Sequence, residues 1–176
     1  MPGSRLLLKD RQAGDEGVRA RIRSALAQHG IDGARVEFID WTPDWQSHLA
    51  LYDRLDIALD PVPLNSGTTA FDALWMGVPL LGVEGDWMGG RMTAAILRAL
   101  GKPEWVVKNE GEYVAGVTAL ARDVAARTRL RAGQRALMAK SPLCNCAELA
   151  RVLGDAFESM FDQRAANRQA ASSILA

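Results

Sequence analysis

The chain has few of the residues from which disulfides and metal sites are built. Its 176 residues include two cysteines, Cys144 and Cys146, and two histidines. A C-x-C pair without further cysteines or a nearby histidine is too sparse for a zinc site, and so short a loop would strain a disulfide. The sequence therefore predicts two reduced thiols and no metal site.

The chain also lacks an excess of charge of either sign and a long apolar run. Lysine plus arginine and aspartate plus glutamate each number 21, so no net field favours nucleic acid or an anionic membrane surface. No apolar stretch reaches the ~20 residues of a membrane span. Residues 1–4 lack the charged and apolar regions of a signal peptide. These absences predict a cytoplasmic protein without nucleic-acid or membrane partners.

Familiar catalytic and nucleotide-binding motifs are missing as well. The sequence contains no Walker loop, no G-x-G-x-x-G fingerprint and no Ser-His-Asp order. The first apolar run, at residues 5–9, does not follow the glycine-rich turn with which a nucleotide-binding lobe usually starts. We therefore expect the chain to be part of a larger protein. The unpaired edge of a strand at 5–9 also predicts self-association into a homo-oligomer.

Apolar periodicity alternates between strand and helix along most of the chain. The predicted strands cover 5–9, 34–40, 56–60, 78–83 and 105–108, and the helices between them cover 15–30, 43–55, 68–76 and 91–101. This alternation predicts an α/β fold with a doubly wound, Rossmann-like parallel sheet. Helices at 110–124, 125–140 and 145–162 form a helical C-terminal segment. One domain is expected over 1–162, followed by a tail at 163–176 for which fraying and docking are both open.

Ligands of such sheets bind beyond the carboxyl ends of the strands, where the strand-to-helix loops gather. The loops in question lie at 40–44, 60–68 and 84–90. The sequence therefore predicts a ligand site at this edge.

The stretch "LNSGTTAFDALWMGVP" (64–79) places small polar residues at the start of a predicted helix. Gly67, Thr68 and Thr69 fit an anion site, because a helix N-terminus offers free N–H groups and the positive end of the helix dipole. Thr69 and Asp72 fit a capping box equally well. Local spacing leaves both open, and they coexist if Asp72 turns to a ribose hydroxyl.

Other polar and aromatic residues near these loops have two interpretations each. His48, on a predicted helix, is more typical of a structural histidine. Arg91 begins a helix, where its charge opposes the dipole unless an anion lies near. Trp45 and Trp87 suit base stacking and surface packing equally. Asp60, before a proline, most simply opens a turn.

Two long segments resemble a known family. "HLALYDRLDIALDPVPLNSGTTAFDALWMGVPLLGVEGD" (48–86) and "GGRMTAAILRALGKPEWVVKNEGEYV" (89–114) resemble the C-terminal lobe of the O-linked N-acetylglucosamine transferase and SPINDLY family, glycosyltransferase family 41. The likeness extends over about residues 4–161. Its bacterial members typically join this lobe to tetratricopeptide repeats. The resemblance implies the two-lobed GT-B fold, with the nucleotide-sugar held mainly by the C-terminal lobe.

The resemblance also assigns donor-binding roles by position. Gly67, Thr68 and Thr69 match the segment that wraps the donor diphosphate, and Asp72 matches the acid that binds the ribose. The full set of residues placed in the donor site is Pro43, Trp45, His48, Ser66, Gly67, Thr68, Thr69, Asp72 and Arg91. Pro43 and Trp45 correspond to base and ribose contacts, and no residue of this chain is assigned a catalytic role. Lys9 belongs to a different strand from the family's phosphate-binding lysine.

The function that the resemblance implies is donor binding within a protein O-glycosyltransferase that is inactive as this chain alone. UDP-GlcNAc is the favoured donor and a GDP-sugar the alternative, with no resident cofactor. The expected partners are an N-terminal catalytic lobe, tetratricopeptide repeats and target proteins. Gly67 stands where the animal enzymes have a histidine, which leaves the sugar nucleotide open. The alternative is a non-catalytic nucleotide-sugar-binding or protein-interaction module derived from that family.

Overall fold

A computed structural model describes residue 1 and residues 3–174, and its N-terminal part is a parallel strand pair crossed by one helix. Strand β1 (Leu6–Lys9) pairs with β2 (Val36–Ile39) in the register Leu6 to Val36. Helix α1 (Glu16–Gln28) connects them. The carboxylate of Asp15 caps α1 by accepting a hydrogen bond from the Val18 amide at 2.9 Å, as expected of an N-cap aspartate. The chain leaves α1 through Gly30, whose φ is +71°.

A second parallel pair lies further along the chain. Strand β3 (Gly82–Val83) pairs with β4 (Val106–Val107), and helix α4 (Met92–Ala99) connects them. The other helices are α2 (Trp45–Ala50), α3 (Thr68–Trp75), α5 (Glu110–Arg122), α6 (Val124–Ala139) and α7 (Cys146–Ile174). None of the helices in the described part of the chain combines the length and the apolar character needed to cross a membrane.

The core is formed where α3 and α4 pack on the extended segment 78–83. Leu74 on α3, Leu80 in the segment and Leu97 on α4 are almost completely buried. Helix α6 packs against the other side of α3. The Gln134 side chain on α6 donates a hydrogen bond to Leu74 O at 3.1 Å. This packing fixes the orientation of α3 and therefore the direction in which its N-terminus points.

The predicted doubly wound sheet is not confirmed, although the α/β character and the parallel pairing are. The described residues form two separate two-stranded sheets, and no strand is assigned at 56–60. That segment lies beside the next one, since the Ala58 amide donates to Pro79 O at 2.9 Å. Pro79 has no N–H to donate in return, and Pro61 and Pro63 follow directly. The hydrogen-bond ladder between residues 56–60 and the segment at 78–83 is therefore too short to connect the two strand pairs into one sheet.

Several element boundaries also differ from the prediction. The helix expected at 43–55 begins at Trp45, after the cap residue Asp44, and tightens into a 3-10 turn at Leu51–Arg54, so Pro43 precedes the helix rather than starting it. Helix α7 runs without a break past residue 162 to Ile174, and the last part of the predicted tail, residues 175–176, lies outside the described residues.

Candidate functional site

The N-terminus of α3 is open on its outer side. Gly67 occupies the N-cap position and provides no side-chain cap, while Thr68 and Thr69 are both exposed. Within the described residues, the Thr68 and Thr69 amides donate no hydrogen bond. Free N–H groups at the positive end of a helix form a ready anion site.

The capping-box alternative is wrong for this helix. Thr69 lies inside the first turn of α3 rather than at its N-cap, which is Gly67. The Asp72 carboxylate points away from the helix start toward α2, where its Oδ2 lies 3.4 Å from His48 Nε2. The polar residues at 66–69 therefore do not serve to cap the helix with their side chains.

The contact between His48 and Asp72 joins α2 to α3 in a half-buried setting, with 22% and 13% of the two side chains exposed. Burial raises the pKa of the Asp72 carboxyl, while the hydrogen bond with His48 and the Lys9 charge lower it. The imidazole and the carboxylate thus hold each other in place one turn beyond Thr68 and Thr69.

Lys9 joins His48 and Asp72 in one cluster of polar side chains, a role that was not predicted from the sequence. Its ammonium lies 2.5 Å from His48 Nδ1 and donates to Thr42 Oγ1 at 2.8 Å. Burial lowers the pKa of Lys9, and the Asp72 carboxylate opposes that effect. An ammonium donates only, so Nδ1 of His48 must accept and the imidazole proton belongs on Nε2, facing Asp72. The one sequence signal for this role is a lysine at the carboxyl end of a strand.

Aromatic and apolar side chains form the outer rim of the cluster. The Trp45 ring lies 5.2 Å from the His48 ring between centroids, and 62% of Trp45 is exposed. Pro43 is also exposed, two residues before Trp45. Trp41 lies on the other flank, with the Arg11 guanidinium 4.4 Å from its ring centroid. Trp45 is therefore available for stacking next to the imidazole.

The buried carboxyl of Asp60 fixes the loop before α3 from inside the protein. Asp60 Oδ1 accepts a hydrogen bond from the Ser66 amide at 2.8 Å, and Thr93 Oγ1 lies 3.0 Å from both Asp60 Oδ1 and Ser66 O. Burial raises the pKa of Asp60 in spite of these hydrogen bonds. The chain bends at residues 62–64 and forms no hydrogen-bonded turn directly at Asp60, and the link of Asp60 to Thr93 was not predicted.

Arg91 directly follows the loop at 84–90 and is the N-cap residue of α4. Its guanidinium donates to Gly85 O at 3.2 Å and to Asp86 O. The same loop contacts the one before α3, because the Asn65 amide donates to Gly89 O at 3.0 Å. Backbone carbonyls thus balance the Arg91 charge at the start of α4, and its role toward a donor stays a prediction.

The structure brings three of the predicted residues into a chain of contacts. The Trp45 ring lies 5.2 Å from the His48 ring, and His48 Nε2 lies 3.4 Å from Asp72 Oδ2. Thr68 and Thr69 precede Asp72 on the same helix. In the described ranges, no three or more His, Cys, Asp or Glu side chains group in a way that would hold a metal ion.

Comparisons of the chain with a family model and with known proteins agree on one family. The model of glycosyl transferase family 41 matches residues 4–153. A probable UDP-N-acetylglucosamine--peptide N-acetylglucosaminyltransferase SPINDLY of Petunia hybrida is 35% identical over 161 residues, which cover 92% of this chain and 17% of the relative. The SPINDLY protein of Arabidopsis thaliana with the same description is 34% identical, covering 92% of this chain and 18% of the relative.

A solved structure matches at the level of the fold as well. A mutant of the Thermobaculum terrenum O-GlcNAc transferase superposes with a TM-score of 0.83 at 34% identity, covering 89% of this chain and 30% of that one. The chain belongs to glycosyltransferase family 41, which confirms the resemblance read from its sequence. It spans about a sixth of the length of the curated relatives that it matches.

Proposed function

We propose that the chain is the donor-binding part of a protein O-glycosyltransferase and that it holds the diphosphate of a nucleotide-sugar at the N-terminus of α3. The observation that carries this proposal is the open first turn of α3. Among the described residues its Thr68 and Thr69 amides have no acceptor, its N-cap Gly67 has no side chain to cover them, and both threonines are exposed. Ser66 and Gly67 form the approach to that turn.

The chemistry of such a site is stabilisation of a leaving group. When a glycosyl bond to a nucleoside diphosphate breaks, negative charge develops on the diphosphate. Amide N–H groups and hydroxyls aimed at that charge lower the barrier. The Asp72 carboxylate accepts hydrogen bonds from the ribose, His48 orients Asp72, and Trp45 with Pro43 offers a surface for the base. Arg91 is proposed to approach the donor from the loop at 84–90.

The donor we propose is UDP-GlcNAc, with a GDP-sugar as the alternative that the experiment distinguishes. The relatives from Petunia and Arabidopsis are described as probable UDP-N-acetylglucosamine--peptide transferases. A serine or threonine hydroxyl of a target protein would then be the acceptor. We assign the activation of that hydroxyl to an N-terminal lobe of the full protein, with tetratricopeptide repeats for target binding. The cytoplasmic location and homo-oligomerisation stay predictions.

Titration calorimetry with UDP and with GDP tests the proposal. Wild-type protein is expected to bind one of the two, and Thr68→Ala/Thr69→Ala to bind it at least ~10-fold more weakly, because two hydrogen-bonding hydroxyls at an anion site are lost. Thr128→Ala, which changes an exposed threonine on α6, is the matched control and should bind like wild type. Absence of heat with both nucleotides, or equal binding by the double variant, would overturn the proposal.

The alternative is a non-catalytic interaction module, and α7 is the observation that favours it. This helix exposes a row of apolar side chains at helical spacing, namely Leu149, Val152, Leu153, Phe157, Met160 and Phe161. An exposed apolar stripe of this kind is typical of interaction surfaces. Nucleotide binding in the calorimetric titration favours the donor site, and its absence in a folded protein favours the module.

A further inference from the structure

The two peptide groups of Ser66 are fixed by Asp60, six positions before it, and by Thr93, 27 positions after it. The Ser66 amide donates to Asp60 Oδ1 at 2.8 Å, and the Ser66 carbonyl accepts from Thr93 Oγ1 at 3.0 Å. Thr93 also lies 3.0 Å from Asp60 Oδ1, so the three groups form a closed triangle. Ser66 is the residue just before the N-cap of α3. Its backbone therefore sets where the open first turn begins.

The triangle is rigid because every member is held from another side. The Asp60 amide donates to the Tyr113 hydroxyl on α5 at 2.9 Å. Thr93 is completely buried on α4, and Asp60 is 4% exposed. A Cβ on Gly82 would lie 2.6 Å from Thr93 Cγ2, so the glycine permits the close approach of β3 to this residue. Three elements thus fix one peptide segment.

The burial of the Asp60 carboxyl costs free energy that local structure alone does not explain. Its Oδ2 is buried without a hydrogen-bond partner among the described residues. Burial of a carboxyl with an unpaired oxygen destabilises a fold, so this burial calls for an explanation beyond the local turn. A turn-opening aspartate needs none of this burial, since Asx turns form at the surface.

We propose that Asp60 and Thr93 are positioning residues that hold the Ser66 backbone and thereby aim the first turn of α3 at the donor diphosphate. The inference rests on the proposed function. Neither side chain needs to touch the donor, because each acts through Ser66. Displacement of hydrogen-bond donors by about 1 Å at a charged site costs up to ~100-fold in binding or rate.

The test compares Thr93→Val with Thr93→Ser, using UDP and uridine as probes. Valine keeps the shape and removes the hydroxyl, whereas serine keeps the hydroxyl. Thr93→Val is expected to bind UDP ~10-fold more weakly while its uridine affinity stays within about 2-fold of wild type, and Thr93→Ser is expected to restore UDP binding. Uridine lacks the diphosphate, so a general loss of structure would weaken both ligands together.

A second measurement tests whether Thr93 acts through the first turn of α3. If Asp60 and Thr93 act through the α3 N-terminus, the effects of Thr93→Val and of Thr68→Ala/Thr69→Ala on UDP binding should be less than additive, because Thr93→Val displaces the turn that presents the two hydroxyls. Equal UDP binding by wild type and Thr93→Val, or a parallel loss of uridine binding, would overturn the inference. If wild type itself binds no nucleotide, the proposed function fails first. If wild type binds and the Thr93 variants do not differ, only the positioning role fails.

Discussion

His48 Nε2 lies 3.4 Å from Asp72 Oδ2, and this contact is the point at which α2 meets the helix that presents the candidate anion site. Lys9 reaches the opposite nitrogen of the same imidazole. The three side chains form a line from the end of β1 to α3. Loss of any member is therefore expected to alter the orientation of the next.

Lys9→Met tests this line through the tautomer of His48. In the wild-type protein, nitrogen-15 spectra of the imidazole should show a proton on Nε2 and none on Nδ1 at neutral pH, because the Lys9 ammonium occupies Nδ1 as a donor. In Lys9→Met, the population of the tautomer with the proton on Nδ1 should rise above its wild-type value, although Asp72 still accepts from Nε2. His29, at the C-terminus of α1, serves as the internal control, since its signals should not change. A wild-type protein with the proton on Nδ1 would contradict the arrangement.

Asp60→Asn tests the burial of Asp60 through the pH dependence of stability. Burial raises the Asp60 pKa above 3.8, so the folded state holds the proton more tightly than the unfolded state. The stabilisation from that carboxyl is complete below its unfolded pKa and is lost as the pH rises through the folded pKa. Asparagine does not titrate. The free energy of unfolding of Asp60→Asn, relative to wild type, should therefore increase as the pH rises above about 4.

Urea unfolding at a series of pH values measures this difference. Asp162→Asn, which changes an exposed carboxyl on α7, is the matched control for the loss of a carboxylate outside the core. A difference for Asp60→Asn that is flat, or that falls as the pH rises, would show that Asp60 is not desolvated in the folded protein.

Gly77→Ala tests the junction between α3 and α6. Gly77 has a φ of +76°, and a Cβ there would lie 2.8 Å from the backbone of Arg131. Strain and overlap together should lower the free energy of unfolding by about 2 kcal/mol or more. Gly133→Ala is the matched control, because its Cβ meets open space on α6 and should be neutral or stabilising by up to ~1 kcal/mol. Equal stability of the two variants would mean that α6 does not pack on Gly77.

Local signals in the sequence were sufficient to predict α3 and its surroundings. The polar cluster before Thr68 and the glycine at 77 bracket the helix that the structure contains at Thr68–Trp75. Both signals act within one or two turns of the helix. The family resemblance then identified His48 and Asp72 together, and the structure brings them into contact.

Interactions between distant residues were not predictable in the same way. Asp60 and Thr93 are 33 positions apart, and Lys9 and His48 are 39 apart. Nothing in either local sequence specifies the partner, because each contact depends on how the elements pack. The sheet was overestimated for a related reason. Apolar runs predict strands at 56–60 and 78–83, of which the structure forms only Gly82–Val83, because a ladder needs N–H groups that Pro79 does not have.

The most direct test of the central claim is the response of the backbone amides at 67–70 to UDP, followed by NMR with uridine as the comparison. If the N-terminus of α3 binds the diphosphate, UDP should shift the Thr68 and Thr69 amide signals more than any others, and uridine should leave them nearly unchanged. Largest shifts in the cavity between β1 and α1, lined by Leu8, Val18 and Phe38, or equal shifts with both ligands, would contradict it.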